Sequence, residues 1–201
     1  LSTSSNSLRK ITDDMYDDIY PEFFPNSTSI IFSSNRKSNN LDDKIDEIDN
    51  EYYNLFVYNL DSTQNIIKKI TNSKSNNLKA STISKNKILY LSDRKGIYNL
   101  YSHEIGKTHK QITNFNTNIN DYDLILESKS LYYSSLVNGN TQLHIYDKLE
   151  IDKSSFGPQT KRVDFIQLQQ NKKKIEEKIE VEYINSNKDF SDTNDFSFEE
   201  D

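Results

Sequence analysis

Two short stretches carry the residues best suited to chemistry. In "SIIFSSNRKSNN" (29–40) an apolar run ends in Ser33, Ser34, Asn35 and Arg36, and in "KILYLSDRKGIYNLY" (87–101) a similar run ends in Ser92, Asp93 and Arg94. A hydroxyl, a short amide or carboxylate and a guanidinium crowded at a strand end could form a catalytic site. They could equally close a turn. Asn and Asp hydrogen-bond their own backbone, and Arg offers five donors in a planar fork that matches carboxylates or carbonyls, including those of an adjacent sheet. The recurrence decides between these readings. A catalytic site is made once, whereas a fastening is made once per structural unit. Ser34, Asn35, Arg36, Ser92, Asp93 and Arg94 therefore read as a structural motif.

The other chemically able residues are scattered. The histidines are His103, His109 and His144. His103 and His144 fall on matching strands of neighbouring units, which would allow a shared site, although strand-facing histidines explain them as well. Acidic residues cluster at Asp13, Asp14, Asp17 and Asp18, and again at Asp42, Asp43, Asp46 and Asp49. Neither cluster carries the Gly and terminal Glu of a calcium loop at the required spacing. The four glycines, at 96, 106, 139 and 157, make neither a G-x-S-x-G nucleophile elbow nor a phosphate-binding loop. There is no Cys, which removes disulfide and thiolate chemistry. No catalytic residue, cofactor or metal is expected. Asp13, Asp14, Asp42, Asp43 and Asp46 stand as the candidate binding residues, for a cation or a basic partner segment.

Composition narrows the partners. The net charge is −6, with no basic patch apart from acidic neighbours. That disfavours nucleic acid, whose binding rests on a sheath of Lys and Arg. No apolar run approaches the roughly 20 residues that span a bilayer. Hydrophobic content is 33%, yet 13 Tyr and 10 Phe leave enough to build a core, and Tyr suits half-wet sheet surfaces because its hydroxyl can find a partner at the rim.

These residues are positioned by a repeat. Ile11-Thr12, Ile70-Thr71 and Ile112-Thr113 are each followed by Asp or Asn; the last two Thr lie 42 residues apart and the first two 59. The longer unit contains an extra polar stretch, "KSNNLDDKIDEIDNEY" (37–52). Within each unit a central apolar strand comes first: "SIIFSS" (29–34), "KILYLS" (87–92) or "SLYYSS" (130–135). A second strand follows: "NLFVYNL" (54–60), "NLYSHEI" (99–105) or "QLHIYDK" (142–148). In the first two units a short strand then ends in Ile-Thr, and a weaker segment precedes each central strand: "YPEFFP" (20–25), "KASTIS" (79–84), "DYDLIL" (121–126). Lys95-Gly96 and Asn138-Gly139-Asn140 supply turns, Asn-Gly favouring a tight hairpin. Four-stranded antiparallel units restarting every 40–45 residues indicate an all-β, partial β-propeller rather than a sandwich. The expected units are 11–71, 72–113 and 114–150, two full blades and a partial third. Propellers need roughly 4–8 blades, so the remaining blades are expected elsewhere in a longer chain.

"YPEFFPNSTSIIFSSNRKSNN…NLFVYNL" resembles the TolB-type propeller repeat, in which Pro-x-Phe-Ser-Pro-Asp-Gly leads to an apolar strand, Ser-Asp/Asn-Arg-x-Gly and a Leu-Tyr strand. Pro21, Phe23 and Pro25 match the opening, with Asn26-Ser27 in place of Asp-Gly. The second unit matches at Ser92, Asp93, Arg94, Gly96, Asn99, Leu100 and Tyr101 but lacks the opening Pro and Phe. In the third unit Leu136 and Val137 replace Asp-Arg. The resemblance covers residues 11 to about 148 and extends to the propeller segments of large exported proteins of Bacteroidetes-type bacteria. It implies a non-enzymatic protein-interaction scaffold of the periplasm or cell envelope, with a protein partner. The same fold also serves as the substrate-gating propeller of prolyl-oligopeptidase-like serine peptidases and as carbohydrate-binding or lyase propellers, so both stand as alternatives.

From about residue 150 the repeat stops. Residues 151–201 read as a linker and an acidic, largely disordered tail. "KKKIEEKIEVEYI" (172–184) fits a helix or a strand: Ile175 and Ile179 lie one turn apart, while Ile179, Val181 and Tyr183 alternate. The final stretch, 185–201, holds six acids against one Lys, too polar to fold alone. Phe190, Phe196 and Phe198 among the acids could form a short docking motif.

Overall fold

A computed structural model describes residues 8–42 and 52–191. It divides into two units, one reaching Pro158 and one starting at Gln159. The first unit is all-β and contains three antiparallel sheets. The first sheet orders β1 (Asp18–Phe23), β2 (Ser29–Ser34), β3 (Asn54–Asn59) and β4 (Lys68–Lys69). The second repeats that order with β5 (Asn77–Ser84), β6 (Lys87–Ser92), β7 (Asn99–Glu104) and β8 (Lys110–Gln111). The third has three strands, β9 (Asp121–Ile125), β10 (Ser130–Val137) and β11 (Asn140–Tyr146). This is the expected partial propeller of two full blades and an incomplete third.

The central strands of the first two sheets are apolar on both faces because those sheets are covered on both faces. In β6, Ile88 and Tyr90 join Phe24, Ile31, Leu55 and Tyr101 between the first and second sheets. The intervening Leu89 and Leu91 join Leu100, Ile119 and Leu131 between the second and third. A strand buried this way reads as a continuous apolar run rather than an alternating one. Burying a Leu such as Leu55 or Leu100, each 0% exposed, stabilises by about 2 kcal/mol.

The far face of the first sheet has its own cover. Ile30, Phe32, Phe56 and Tyr58 pack with Leu41 and Ile67. Backbone bonds from Leu41 to the Asn65 carbonyl (2.8 Å) and from Ile67 to the Asn39 carbonyl (2.8 Å) hold the start of the inserted loop there. The rest of that loop, 43–51, lies outside the described residues.

The third sheet departs from the pattern for a local reason. β10 runs straight through Leu136 and Val137 into a two-residue hairpin at Asn138 and Gly139, whose φ angles are 50° and 80°. Both central residues are left-handed, as a twist-matched hairpin requires. There is no strand exit in this unit, and so no place for the Asn/Asp-Arg pair.

The second unit contains the helix α1 (Lys161–Ser191). It resolves the ambiguity of 172–184 in favour of helix and extends to residue 191. Thr160 opens it, its carbonyl accepting from the amides of Val163 (2.9 Å) and Asp164 (3.2 Å), and Asp164 places an acid in the first turn, where the helix dipole favours one. Its many Lys, Glu and Gln residues are good helix formers. Its apolar residues, including Phe165, Leu168, Ile175 and Ile179, are exposed. Residues 192–201, with Phe196 and Phe198, lie outside the described residues.

Candidate functional site

The Ser-Asn/Asp-Arg motif is a strand lock. In the first sheet, the Arg36 guanidinium donates to both carboxylate oxygens of Asp18, from Nε at 3.3 Å and Nη2 at 2.6 Å, and from Nε to Ser34 Oγ at 3.2 Å. Its Nη1 touches Asp14 Oδ2 at 3.2 Å without the alignment of a hydrogen bond. Arg36 is fully buried, and the Tyr16 ring lies 5.2 Å from its charged carbon. Asn35 Oδ1 accepts from the Asp17 amide at 2.9 Å. In the second sheet, Asp93 Oδ1 accepts from the Asn76 amide at 2.7 Å. Arg94 donates to Ser92 Oγ (3.2 Å), Asn77 Oδ1 (3.1 Å) and the Tyr90 hydroxyl (2.7 Å). Asp18 and Asn77 hold the same register, opposite Ser34 and Ser92.

The lock is made chiefly within a blade. Arg36 finds its carboxylates on β1 and the chain leading into it, not on an adjacent sheet as the sequence reading allowed. The second copy reaches across. Asn77 Nδ2 contacts Asn54 Oδ1 (3.3 Å) and the Tyr53 carbonyl (3.3 Å), so Arg94 is joined to the first sheet through Asn77.

The recurring Ile-Thr makes a second lock, which sequence reasoning used as a marker without assigning it a role. The Leu55 amide donates to Thr71 Oγ1 (2.8 Å), Thr71 donates to Asn54 Oδ1 (3.0 Å), and that oxygen also accepts from the Ser73 amide (3.1 Å). Leu100, Thr113, Asn99 and Phe115 repeat it at 2.9, 2.8 and 2.8 Å. The spacing from Asn-Leu to Ile-Thr was the available signal.

The candidate acids are not brought together. Asp13 is exposed and pairs with Lys10. The Asp14 side chain is 4% exposed, held against Arg36. Asp42 is exposed and accepts from Asn65 Nδ2 at 2.9 and 3.1 Å. Asp43 and Asp46 lie outside the described residues. His103 stacks on His109 with ring centres 4.0 Å apart, whereas His144 bonds Ser135 Oγ from the third sheet (2.9 Å). Among the described residues no three of His, Asp and Glu converge as a metal site.

What the three sheets do assemble is a groove across their first strands. An open cleft of about 320 Å³ is lined by Tyr20 and Glu22 of β1, Lys79 and Ser81 of β5, and Asp121 and Tyr122 of β9. Lys79 occupies its centre. The ammonium lies 2.7 Å from Asp121 Oδ1, 3.3 Å from the Asn120 carbonyl and 5.1 Å from the centre of the Tyr20 ring. The Lys79 hydrogen bond holds the Asp121 carboxyl below its usual range. The Tyr122 hydroxyl donates to the Lys79 carbonyl at 2.7 Å, and burial pushes its pKa up. Tyr20 and Lys79 have φ angles of 54° and 51°, and the pairing of each strand with its neighbour slips at that point. Two non-glycine residues in the left-handed region at matching bulges are costly, and such strain collects at functional positions. A larger cleft of about 700 Å³, walled by Ile83, Leu124, Ile125, Leu126, Leu149 and Ile151, is mainly apolar, and its rim acids Glu150 and Asp152 are already paired with Lys153 and Lys87.

The sheets, stacked face to face and each beginning at this groove, define part of a β-propeller. Within that class the fold is similar to that of solved propellers. The structure is similar to that of a protein of Agrobacterium tumefaciens assigned as TolB, with a TM-score of 0.51 at 12% identity, covering 69% of this chain and 48% of that one. It is also similar to a puromycin-hydrolysing peptidase of Mycobacterium tuberculosis, at a TM-score of 0.49 and 12% identity, over 66% of this chain and 20% of that one. The chain thus spans about half of the first protein and a fifth of the second. No protein-family model matches the chain, and no curated protein sequence matches it.

Proposed function

We propose that this chain is a non-enzymatic protein-interaction scaffold of the bacterial cell envelope, and that it meets its protein partner at the first-strand groove. The matched left-handed bulges at Tyr20 and Lys79 carry this reading, because they turn an aromatic ring and a cation into an open cleft at the cost of backbone strain. Tyr20 is exposed and the Lys79–Asp121 pair presents both signs of charge beside it, which suits an extended partner segment with an apolar side chain for the ring and hydrogen-bonding groups for the pair. The TolB-like fold supports the envelope setting. Among the described residues no helix is long and apolar enough to cross a membrane. The catalytic role is set aside because the polar motifs are engaged in locking strands.

A photo-crosslinking residue at position 20, introduced in cells, tests the reading. A discrete protein adduct is expected from position 20 and not from position 138, on the β10–β11 hairpin. Equal adducts from both positions, or none from position 20, would overturn it.

A further inference from the structure

Along α1, the residues Phe165, Leu168, Lys172, Ile175, Ile179 and Glu182 follow one another at alternating intervals of three and four. That is the spacing of a coiled-coil seam, which gathers its members on one side of a helix. Tyr183 extends the same side. Its five apolar members, Phe165, Leu168, Ile175, Ile179 and Tyr183, are 58–68% exposed. Two positions on the seam are charged, and they are of opposite sign: Lys172 and Glu182.

Charge along the helix is divided in two. Lys161, Arg162, Lys172, Lys173 and Lys174 stand against a single acid, Asp164, in the first half. Between residues 175 and 184, Glu176, Glu177, Glu180 and Glu182 stand against a single Lys, at 178. This division works against a lone helix. The macrodipole favours acids near the N-terminus and cations near the C-terminus, and apart from Asp164 the order here is reversed. The Lys–Glu pairs spaced four apart, 172 with 176, 173 with 177 and 178 with 182, all place Lys first, the weaker order within a helix.

The same division is favourable between two such helices lying side by side in opposite directions. The basic half of each then meets the acidic half of the other, and the two dipoles oppose. The seam sets the alignment. With Ile175 of one copy opposite Ile179 of the other, Lys172 of each copy meets Glu182 of the other. A parallel pair would set Lys172 against Lys172 and Glu182 against Glu182. Polar residues within an apolar seam fix register and orientation in this way, at some cost in stability.

We propose that α1 is a self-association element, through which two copies of this chain pair as an antiparallel coiled coil. Ile175 and Ile179 form its centre, Leu168 and Tyr183 extend the apolar contact, and the two Lys172–Glu182 contacts select the direction. The surface is independent of the first-strand groove, so a second copy held here leaves that groove open.

Sedimentation of the whole chain from micromolar to millimolar concentration tests this. The mass should double as the concentration rises. Ile175→Asp, at an exposed position, should weaken association about a hundredfold or more while leaving the melting of the sheets unchanged. Lys172→Glu should weaken it about tenfold, and adding Glu182→Lys to that variant should restore it. The chain has no cysteine, so single cysteines report the direction. On oxidation, a mixture of the Lys172→Cys and Glu182→Cys chains should form a disulfide-linked dimer, and neither chain should do so alone. A monomer at every concentration would overturn the proposal. So would association that Ile175→Asp leaves intact, which would move the contact off α1, or a disulfide in the unmixed Lys172→Cys chain, which would mean a parallel pair.

Discussion

Asp18 and Arg36 illustrate how this molecule uses its polar residues. A fully buried guanidinium is tolerable only with its charge answered, and Asp18 answers it with two hydrogen bonds while Asp14 stands alongside. Asp18→Ala should therefore lower unfolding stability by about 3 kcal/mol in urea titration. Arg94, partly exposed and held by uncharged groups and the Tyr101 ring 4.6 Å away, should tolerate replacement by Met at roughly half that cost. The histidine stack gives a pH dependence. Burial and the neighbouring His103 pull the His109 pKa from 6.5 to about 4, and burial also lowers that of His103. Both histidines are therefore neutral in the fold when the unfolded chain begins to take up protons. Their contribution is complete above about pH 6.5 and is lost as the pH falls toward about 4. Urea midpoints should drop over that window, and His109→Phe should flatten the drop. The sequence showed the recurrence of Arg36 and Arg94 and hence their structural role. It could not show Tyr20 and Lys79, because a left-handed bulge leaves no mark when the residue adopting it is neither Gly nor Asn.

The Ile-Thr lock operates at the scale of the strand. β4 and β8 pair over only two residues each, so the lock contributes much of what holds the fourth strand in place. Thr71→Val and Thr113→Val should each cost about 1–2 kcal/mol, since each removes two hydrogen bonds from a buried site. Thr12 lies in no strand, so Thr12→Val should leave stability unchanged. Equilibrium unfolding of the three variants side by side checks this. The strands themselves were legible because apolar runs flanked by Asn, Gly and Ser have few other readings. β1 was displaced by two residues, beginning at Asp18 rather than Tyr20, because its polar start pairs through the Arg36 lock rather than through an apolar pattern. The helix was not legible: Ile179, Val181 and Tyr183 alternate as a strand would, and Lys172 and Glu182 interrupt the apolar period of α1.

At the scale of the whole molecule, three sheets share two buried interfaces, and their first strands line one groove. Repetition made the stacking predictable: each repeat contributes one layer, and its apolar faces imply neighbours. Function was far less legible, because the groove is assembled from residues 20, 79 and 121, which share no motif and meet only when consecutive blades stack. The proposed partner contact is that groove, while the Arg and Thr locks hold the strands. The most direct test is the yield of the position-20 crosslink in a Lys79→Gln background. This substitution removes the charge at the groove's centre while costing the fold only about 1 kcal/mol or less, as expected for an ion pair whose acid is well exposed. The expected result is a melting temperature lowered by no more than about 4 °C and a crosslink reduced by about tenfold. An undiminished crosslink with the fold intact would contradict it.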